Sequence, residues 1–205
     1  MKGFILNIRK AKNEDVIVTV LSKSIVQKYY RFYGQRHSIL QIGNLINFEI
    51  QEDNKGFMPR LRKVSHIPFP WIFSNNRLLI WQSFISLFEP HLRDTRAIDS
   101  FYFNILLEKA NRWHKQNPKR LAIEAYLELL EYEKRLYRSD FCYICNGILE
   151  NEVGVMRAFI ITHPSCIYSK SFNKNEIFRL LSSKSTIEIE DNQIDELFEI
   201  VLKGL

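Results

Sequence analysis

Short apolar runs separated by turn residues fill the first third of the chain. Phe4-Ile5-Leu6-Asn7-Ile8, Val16 to Leu21, Ile25 to Tyr33, Leu45 to Ile50 and Phe57 to Val64 are rich in β-branched and aromatic side chains. Between them lie Lys12-Asn13-Glu14-Asp15, Gly34-Gln35, Ile42-Gly43-Asn44 and Glu52 to Gly56, whose Asn, Asp and Gly residues favour turns. Five strands in so short a stretch predict a small barrel or sandwich. Among five-stranded barrels, the OB-fold is the one that recurs as a nucleic-acid platform.

After the apolar, proline-rich hinge Ile67-Pro68-Phe69-Pro70-Trp71 the period becomes helical. Leu78, Trp81, Phe84 or Ile85, and Phe88 form one stripe, which Pro90 ends. Phe101 with Ile105 and Tyr102 with Leu106 continue a second as far as Trp113, before Asn117-Pro118 breaks it. Leu121 to Tyr137 predicts a third helix, with Leu121, Ala125, Leu129, Tyr132 and Leu136 on one face and Glu124, Glu128 and Glu131 on its polar side. Two further helices are expected at Asn175 to Leu181 and Asn192 to Leu202. The Trp and Phe residues of these stripes read as bundle core. The predicted class is therefore α+β: a five-stranded OB-fold-like β-barrel over residues 1–70, then an α-helical domain over 71–205 with a cysteine-bearing segment at 142–166.

The 205 residues, 46% apolar and 25% charged, suit a soluble globular protein of one large or two small domains. Lys2, Arg9, Lys10 and Lys12 interrupt the only apolar run near the start, so no cleavable leader is expected. The longest apolar run, Leu78 to Phe88, is far shorter than the ~20 residues a bilayer crossing needs. The expected location is the cytoplasm, with no membrane partner.

Charge changes the picture once it is located. Residues 1–66 hold twelve Lys/Arg against five Asp/Glu, whereas residues 67–205 hold seventeen against eighteen, so the whole net charge of +6 arises in the strand-rich third. Such asymmetry fits a polyanion, because Lys and Arg contacts to phosphates release condensed counterions. In Gln27 to Tyr33, strand alternation sets Tyr29, Arg31 and Tyr33 on one face and Lys28, Tyr30 and Phe32 on the other, so either face offers cations and rings. Single-strand binders combine these elements: a basic groove follows the phosphates while rings stack on bases. Arg60 and Arg62 share a face opposite Leu61, and Arg36, Lys55 and Lys63 lie near strand ends. Secondary basic groups occur at Arg112, His114, Lys115, Lys119 and Arg120, and at Lys134, Arg135 and Arg138, where helix-end cations that complement the dipole are an equal reading.

All three cysteines fall between 142 and 166, an odd number that cannot pair off as disulfides. Cys142-Tyr-Ile-Cys145 and, after seventeen intervening residues, His163-Pro-Ser-Cys166 make two pairs with two-residue spacers. Such spacers let both members of a pair reach one ion from a tight turn, and the interval is that of a zinc ribbon. Four protein ligands fill a tetrahedral zinc and leave no position for water, so the implied role is structural. An iron–sulfur cluster fits less well, since His seldom replaces Cys there outside Rieske-type pairs. Without a metal the same residues read as buried thiols and a loop histidine.

No G-x-x-x-x-G-K-[ST], G-x-G-x-x-G, H-E-x-x-H or G-x-S-x-G occurs, and seven glycines leave little room for phosphate loops. The acids Asp94, Asp99, Glu188, Glu190 and Asp191 are scattered, and the last three precede a helix start, where the dipole favours them. The expectation is a protein without catalytic activity.

An N-terminal OB-like barrel opening on Lys2-Gly3-Phe4-Ile5-Leu6, a basic-aromatic middle ending in Gly34-Gln35-Arg36-His37-Ser38, a helical domain and a four-ligand knuckle together resemble the bacterial RecO recombination mediators. The chain differs from the common pattern in using His163 where zinc-bearing members usually show a fourth Cys, and in having Tyr-Arg-Phe-Tyr before Gly34. The resemblance implies a DNA-repair protein that binds single- and double-stranded DNA and anneals complementary strands. It also implies engagement of RecR and the C-terminal tail of the single-stranded DNA-binding protein SSB, and indirect help in loading RecA. Metal ligands Cys142, Cys145, His163 and Cys166 and DNA contacts Lys28, Tyr29, Tyr30, Arg31, Phe32, Tyr33, Arg36, Lys55, Arg60, Arg62 and Lys63 are the expected site residues. The competing reading from the residues alone is a zinc-stabilised RNA-binding or protein-interaction adaptor.

Overall fold

A computed structural model describes residues 1–52 and 58–205. The chain forms two compact units, Met1–His114 and Lys115–Leu205.

The first unit opens with β1 (Lys2–Lys10), β2 (Val16–Ser22), β3 (Val26–Arg31), β4 (Leu45–Gln51) and β5 (Arg60–Ile67), closed into a barrel in the order β1-β2-β3-β5-β4. Pairing is antiparallel except between β3 and β5, which meet in parallel at Tyr30 and Arg60. This is the expected OB-like architecture. Alternation turns Val16, Val18 and Val20 inward from β2, where they meet Ile5, Tyr29, Ile46, Phe48 and Leu61 in the barrel core. Irregular register between Ile5 and Asn7, and between Asn47 and Glu49, marks bulges that sharpen strand curvature.

The helices α1 (Asn75–Ser86), α2 (Phe88–His91) and α3 (Ser100–Arg112) complete this unit. Pro90 lies inside the short α2 rather than directly ending the apolar stripe. Phe4 faces outward from β1, and its ring lies 5.9 Å from Trp81 and 5.6 Å from Phe103. Trp71 and Trp113 pack against Trp81 and each other, and the indole N–H of Trp71, Trp81 and Trp113 each finds a carbonyl: Ala110 at 2.6 Å, Gly43 at 2.9 Å and Arg77 at 3.0 Å respectively. Buried indoles need such partners, which fixes how the helices lie on the barrel wall. Gly43, at φ 89°, is required here, because a Cβ would meet Trp81 Cδ1 at 2.6 Å.

The second unit holds α4 (Pro118–Tyr132), β6 (Glu152–Val155), β7 (Ile161–Thr162), α5 (Pro164–Ile167), β8 (Phe172–Asn173), α6 (Lys174–Ser183) and α7 (Asp191–Leu202). Pro118 sits at the first position of α4, where its missing N–H costs nothing, and Asn117 caps the helix through Lys119 N at 3.0 Å. The helix ends at Tyr132, short of the expected Tyr137, because Lys134 turns left-handed (φ 57°) and Arg135 N bonds back to Leu130 O. A three-stranded sheet in the order β7-β6-β8 was not foreseen. α4 and α7 share a core pinned by Tyr126, whose hydroxyl donates to Gly204 O at 2.8 Å and accepts from Ala158 N at 3.2 Å. Among the described residues no helix is long and apolar enough to cross a membrane.

Candidate nucleic-acid face and metal centre

Along β3, Lys28 points outward, Tyr29 is wholly buried and Tyr30 returns to the outer face, and Phe32, just past the strand, is exposed. Tyr29 therefore lies in the barrel core, T-shaped against Phe48, and burial raises its phenol to about 12. It is withdrawn from the base-stacking set by burial. Arg31 shares its inward direction and closes the barrel end, donating from Nη1 to Leu61 O at 2.9 Å and from Nη2 to His37 Nε2 at 3.4 Å. Burial, and then Arg62, lower the Arg31 pKa. It acts as a rim cap in place of the free cation expected there.

The outward residues form a continuous set. Phe32, 40% exposed, lies 5.1 Å from Tyr30 at a steep angle, and the Arg60 guanidinium stands 5.1 Å over the Phe32 ring. Tyr33, 58% exposed and left-handed at φ 51°, carries Arg36 at 5.2 Å over its ring. One carboxylate links both halves: Asp15 accepts the Tyr30 hydroxyl at 2.6 Å and Tyr33 N at 2.7 Å. That bond to Asp15 raises the Tyr30 pKa. Arg36 also pairs with Glu14, and Lys63 pairs with Glu49 at 3.0 Å. Arg62 is exposed on the same side of β5 as Arg60, across the strand from buried Leu61. Lys55 lies outside the described residues. Asp15, which joins the two halves of this candidate face, is the residue that sequence reasoning missed; it read only as a turn former.

The secondary basic groups are largely engaged in holding structure. Arg112 pairs with Glu108, Lys119 with Asp195 and Arg135 with Glu133, while Arg120 bonds the Ile189 carbonyl and Asp191.

In the second unit, Cys142, Cys145, His163 and Cys166 gather with their ligand atoms all within 4.8 Å of one another. Cys145 Sγ is 3.2 Å and Cys166 Sγ 3.8 Å from His163 Nδ1. Tetrahedral ligands about 2.0–2.3 Å from a zinc lie about 3.3–3.8 Å apart, so a small closing movement completes the site. The knuckle is made by the chain's own turn: Cys142 N donates to Gly147 O at 2.8 Å, Asn146 N to Cys142 O at 2.9 Å, and Asn146 is left-handed. Gly147 keeps the cradle open, since a Cβ there would meet His163 Cε1 at 3.2 Å and Cys145 Sγ at 3.4 Å.

The outer partner of the histidine is also present. His163 Nε2 lies 2.9 Å from Ile148 O, so Nε2 donates and Nδ1 is left bare toward the sulfurs, the tautomer a metal ligand needs. Burial pushes the Cys142 thiol up, but the amides of Cys145, His163 and Ile144 aimed at its sulfur outweigh it and bring it from 9.0 to about 6. Burial and the adjoining Cys145 and Cys142 sulfurs push Cys166 up to about 11. Three sulfurs so crowded repel one another as thiolates unless a cation lies between them. The donor set therefore fits a metal, and its closed four-ligand count fits a structural one.

A groove of 520 Å³ in the same unit runs along α6 and the segment before α7, lined by Phe178, Leu180, Ile187 and Ile189 with Arg138 and Arg179. Arg138 stands 5.3 Å over the Phe178 ring, and Ile187 is 84% exposed.

No curated protein matches the chain. Residues 1–72 match the family model described as RecO N terminal. That span covers the whole barrel and its outward cation–ring face, so the similarity to the RecO N-terminal domain lies in the first third of the chain.

Proposed function

We propose that the protein is a RecO-type mediator of DNA recombination and repair that works by binding and carries out no covalent chemistry. The observation that carries this reading is the joined Tyr30–Phe32–Arg60 and Tyr33–Arg36 set on the outside of a RecO-type barrel. Guanidinium groups held against rings present charge and stacking surface together, so phosphates and unpaired bases meet the protein side by side. Stacking without base-edge donors is indifferent to sequence, which suits a protein that must bring any two complementary strands together. Lys28, Arg36, Arg60, Arg62 and Lys63 supply the phosphate contacts, with Glu14 and Glu49 exchanged for phosphate as Arg36 and Lys63 engage. Double-stranded DNA uses the same cations without the rings.

The four-ligand knuckle holds a structural zinc through Cys142, Cys145, His163 and Cys166. The groove at Phe178 and Ile187, with Arg138 and Arg179 on its lining, suits an acidic peptide with an apolar end, the chemistry of an SSB tail. RecR is the second protein partner, RecA benefits indirectly, and the place of action is the bacterial cytoplasm. The test is annealing of complementary oligonucleotides together with a salt titration of single-strand affinity. Faster annealing is expected, and charge reversal at Arg60 and Arg62 should lower affinity alike for every sequence and reduce the salt slope by about 0.7 per lost phosphate contact. Preference for folded RNA, or unchanged DNA affinity in the reversed variant, overturns the proposal.

A further inference from the structure

A second cationic recess lies on the first unit, at the far end of β3 from Phe32. Its 260 Å³ are lined by Thr19, Gln27 and Lys28 from the barrel and by Arg93, Thr95 and Arg96 from the loop after α2, with Glu89 and Asp94 also on its wall. The loop is fastened as an extra edge to β3: Val26 N donates to Arg96 O at 3.0 Å, Ile98 N to Ser24 O at 3.1 Å, and Ile25 bridges Ala97. This fastening is possible because β5 joins β3 only at Tyr30, leaving the earlier residues with an open edge.

The charges in the recess do not cancel one another. Glu89, nearly buried, is held by Arg9 at 3.5 Å and by Arg93 at 3.0 Å. Asp94 remains at the wall, while the exposed side chains of Lys28 and Arg96 have no ion-pair partner among the described residues. With Asp94 set against Lys28 and Arg96, and Glu89 held by Arg9 and Arg93, the recess keeps a surplus of positive charge that an anion neutralises. Neutral donors converge beside them. The Tyr29 hydroxyl donates to Gln27 Oε1 at 3.3 Å, which leaves the Gln27 amide N–H groups to donate elsewhere, and Thr19 and Thr95 line the same recess. A tetrahedral oxyanion uses such a mixture of cations and neutral donors.

We infer that this recess binds a phosphate group, and that the phosphate is a backbone phosphodiester of the strand lying along Phe32 and Tyr30. The inference rests on the single-strand reading above and extends it by a contact from outside the barrel. Lys28 and Tyr30 share the outer face of β3 at about 3.3 Å per residue and Phe32 follows the strand's end, so the recess lies within roughly 13 Å of Phe32 along the chain.

The test compares the full-length protein with K28Q/R96Q and with a control, K10Q/K12Q, which removes two exposed charges elsewhere. Affinity for oligo(dT) is measured against salt, and amide NMR shifts of residues 93–97 are followed with inorganic phosphate and with oligo(dT). The expected result is a salt slope lower by about 0.7 in K28Q/R96Q than in the control, since one single-strand phosphate contact is lost. Oligo(dT) should also shift the 93–97 amides in the wild type and not in K28Q/R96Q. Equal slopes in the two variants overturn the inference and remove Lys28 from the phosphate contacts, while binding through Arg36, Arg60, Arg62 and Lys63 keeps the single-strand reading intact. Shifts with inorganic phosphate but none with oligo(dT) make the recess a free-phosphate site and overturn the strand assignment. If the wild type binds no single strand, the broader reading fails, and this one with it.

Discussion

The Tyr30 hydroxyl donates to Asp15 Oδ2 at 2.6 Å, and through Asp15 a turn between the first two strands sets the rings at the end of the third. The other carboxylate oxygen takes Tyr33 N at 2.7 Å, holding the left-handed residue on which the Arg36 stack depends. Asp15 holds the Tyr30 hydroxyl and the Tyr33 amide and contributes no cation. In D15A both bonds go, and single-strand affinity should fall about fivefold, the equivalent of about 1 kcal/mol for a hydrogen bond to a charged group at a partly exposed site. The salt slope should stay unchanged, because no phosphate contact is lost. Loss of slope together with affinity would mean that Asp15 supports the fold of the face at large.

Phe32 and Tyr29 separate binding from folding within one strand. Phe32 is exposed at the strand end, so F32A should weaken single-strand binding by about 1–3 kcal/mol while thermal stability changes by less than about 0.5 kcal/mol. Tyr29 fills the barrel beside Phe48 at 5.5 Å, so Y29A should lower stability by about 3–5 kcal/mol. Denaturant unfolding and oligonucleotide titration on the same two variants check both statements. A stable Y29A that fails to bind would return Tyr29 to the face.

Strands and helices were legible because each declares itself by a period: alternation through Val16, Val18 and Val20, and the stripe of Trp81, Phe84 and Phe88. Which face of β3 looks outward was not legible, since Lys28, Tyr30, Phe32 and Tyr29, Arg31, Tyr33 carry the same mixture of rings and cations. The barrel decided it by closing over Tyr29. The gathering of Cys142, Cys145, His163 and Cys166 was legible from spacing alone, because two short loops fix the approach of each pair whatever lies between. The sheet of β6, β7 and β8 was hidden, as strands of two to four residues are too short to show alternation. Likewise Phe4 reads as a strand residue, and nothing in its neighbours announces that it faces Trp81 and Phe103.

The groove on α6 makes a separate prediction. A peptide with acidic residues and an apolar C-terminus should bind with Phe178 and Ile187 around its apolar end and Arg138 and Arg179 on its carboxylates. Arg179 is exposed and paired with Glu188 at 2.5 Å, so R179E leaves the fold intact while reversing the charge at the groove. Peptide affinity, read by fluorescence anisotropy, should fall at least tenfold, and oligo(dT) affinity should be unchanged. Equal peptide binding by R179E and wild type would move the peptide elsewhere.

The knuckle predicts a coupling of metal content to stability. About one zinc per chain is expected by elemental analysis, since four ligands at this spacing close a single tetrahedral site. C145S removes an exposed ligand whose sulfur takes no part in the core, so without metal the substitution itself should cost little. With metal, C145S should lose zinc and thermal stability together, and a chelator should bring the wild type down to the same Tm while leaving C145S unmoved. Acidification should release the metal in the same way, because protons compete for the three sulfurs and for His163 Nδ1. A wild type that is fully stable and metal-free would reduce the cluster to ordinary thiols beside a histidine. The bond from His163 Nε2 to Ile148 O would then serve only to order the turn.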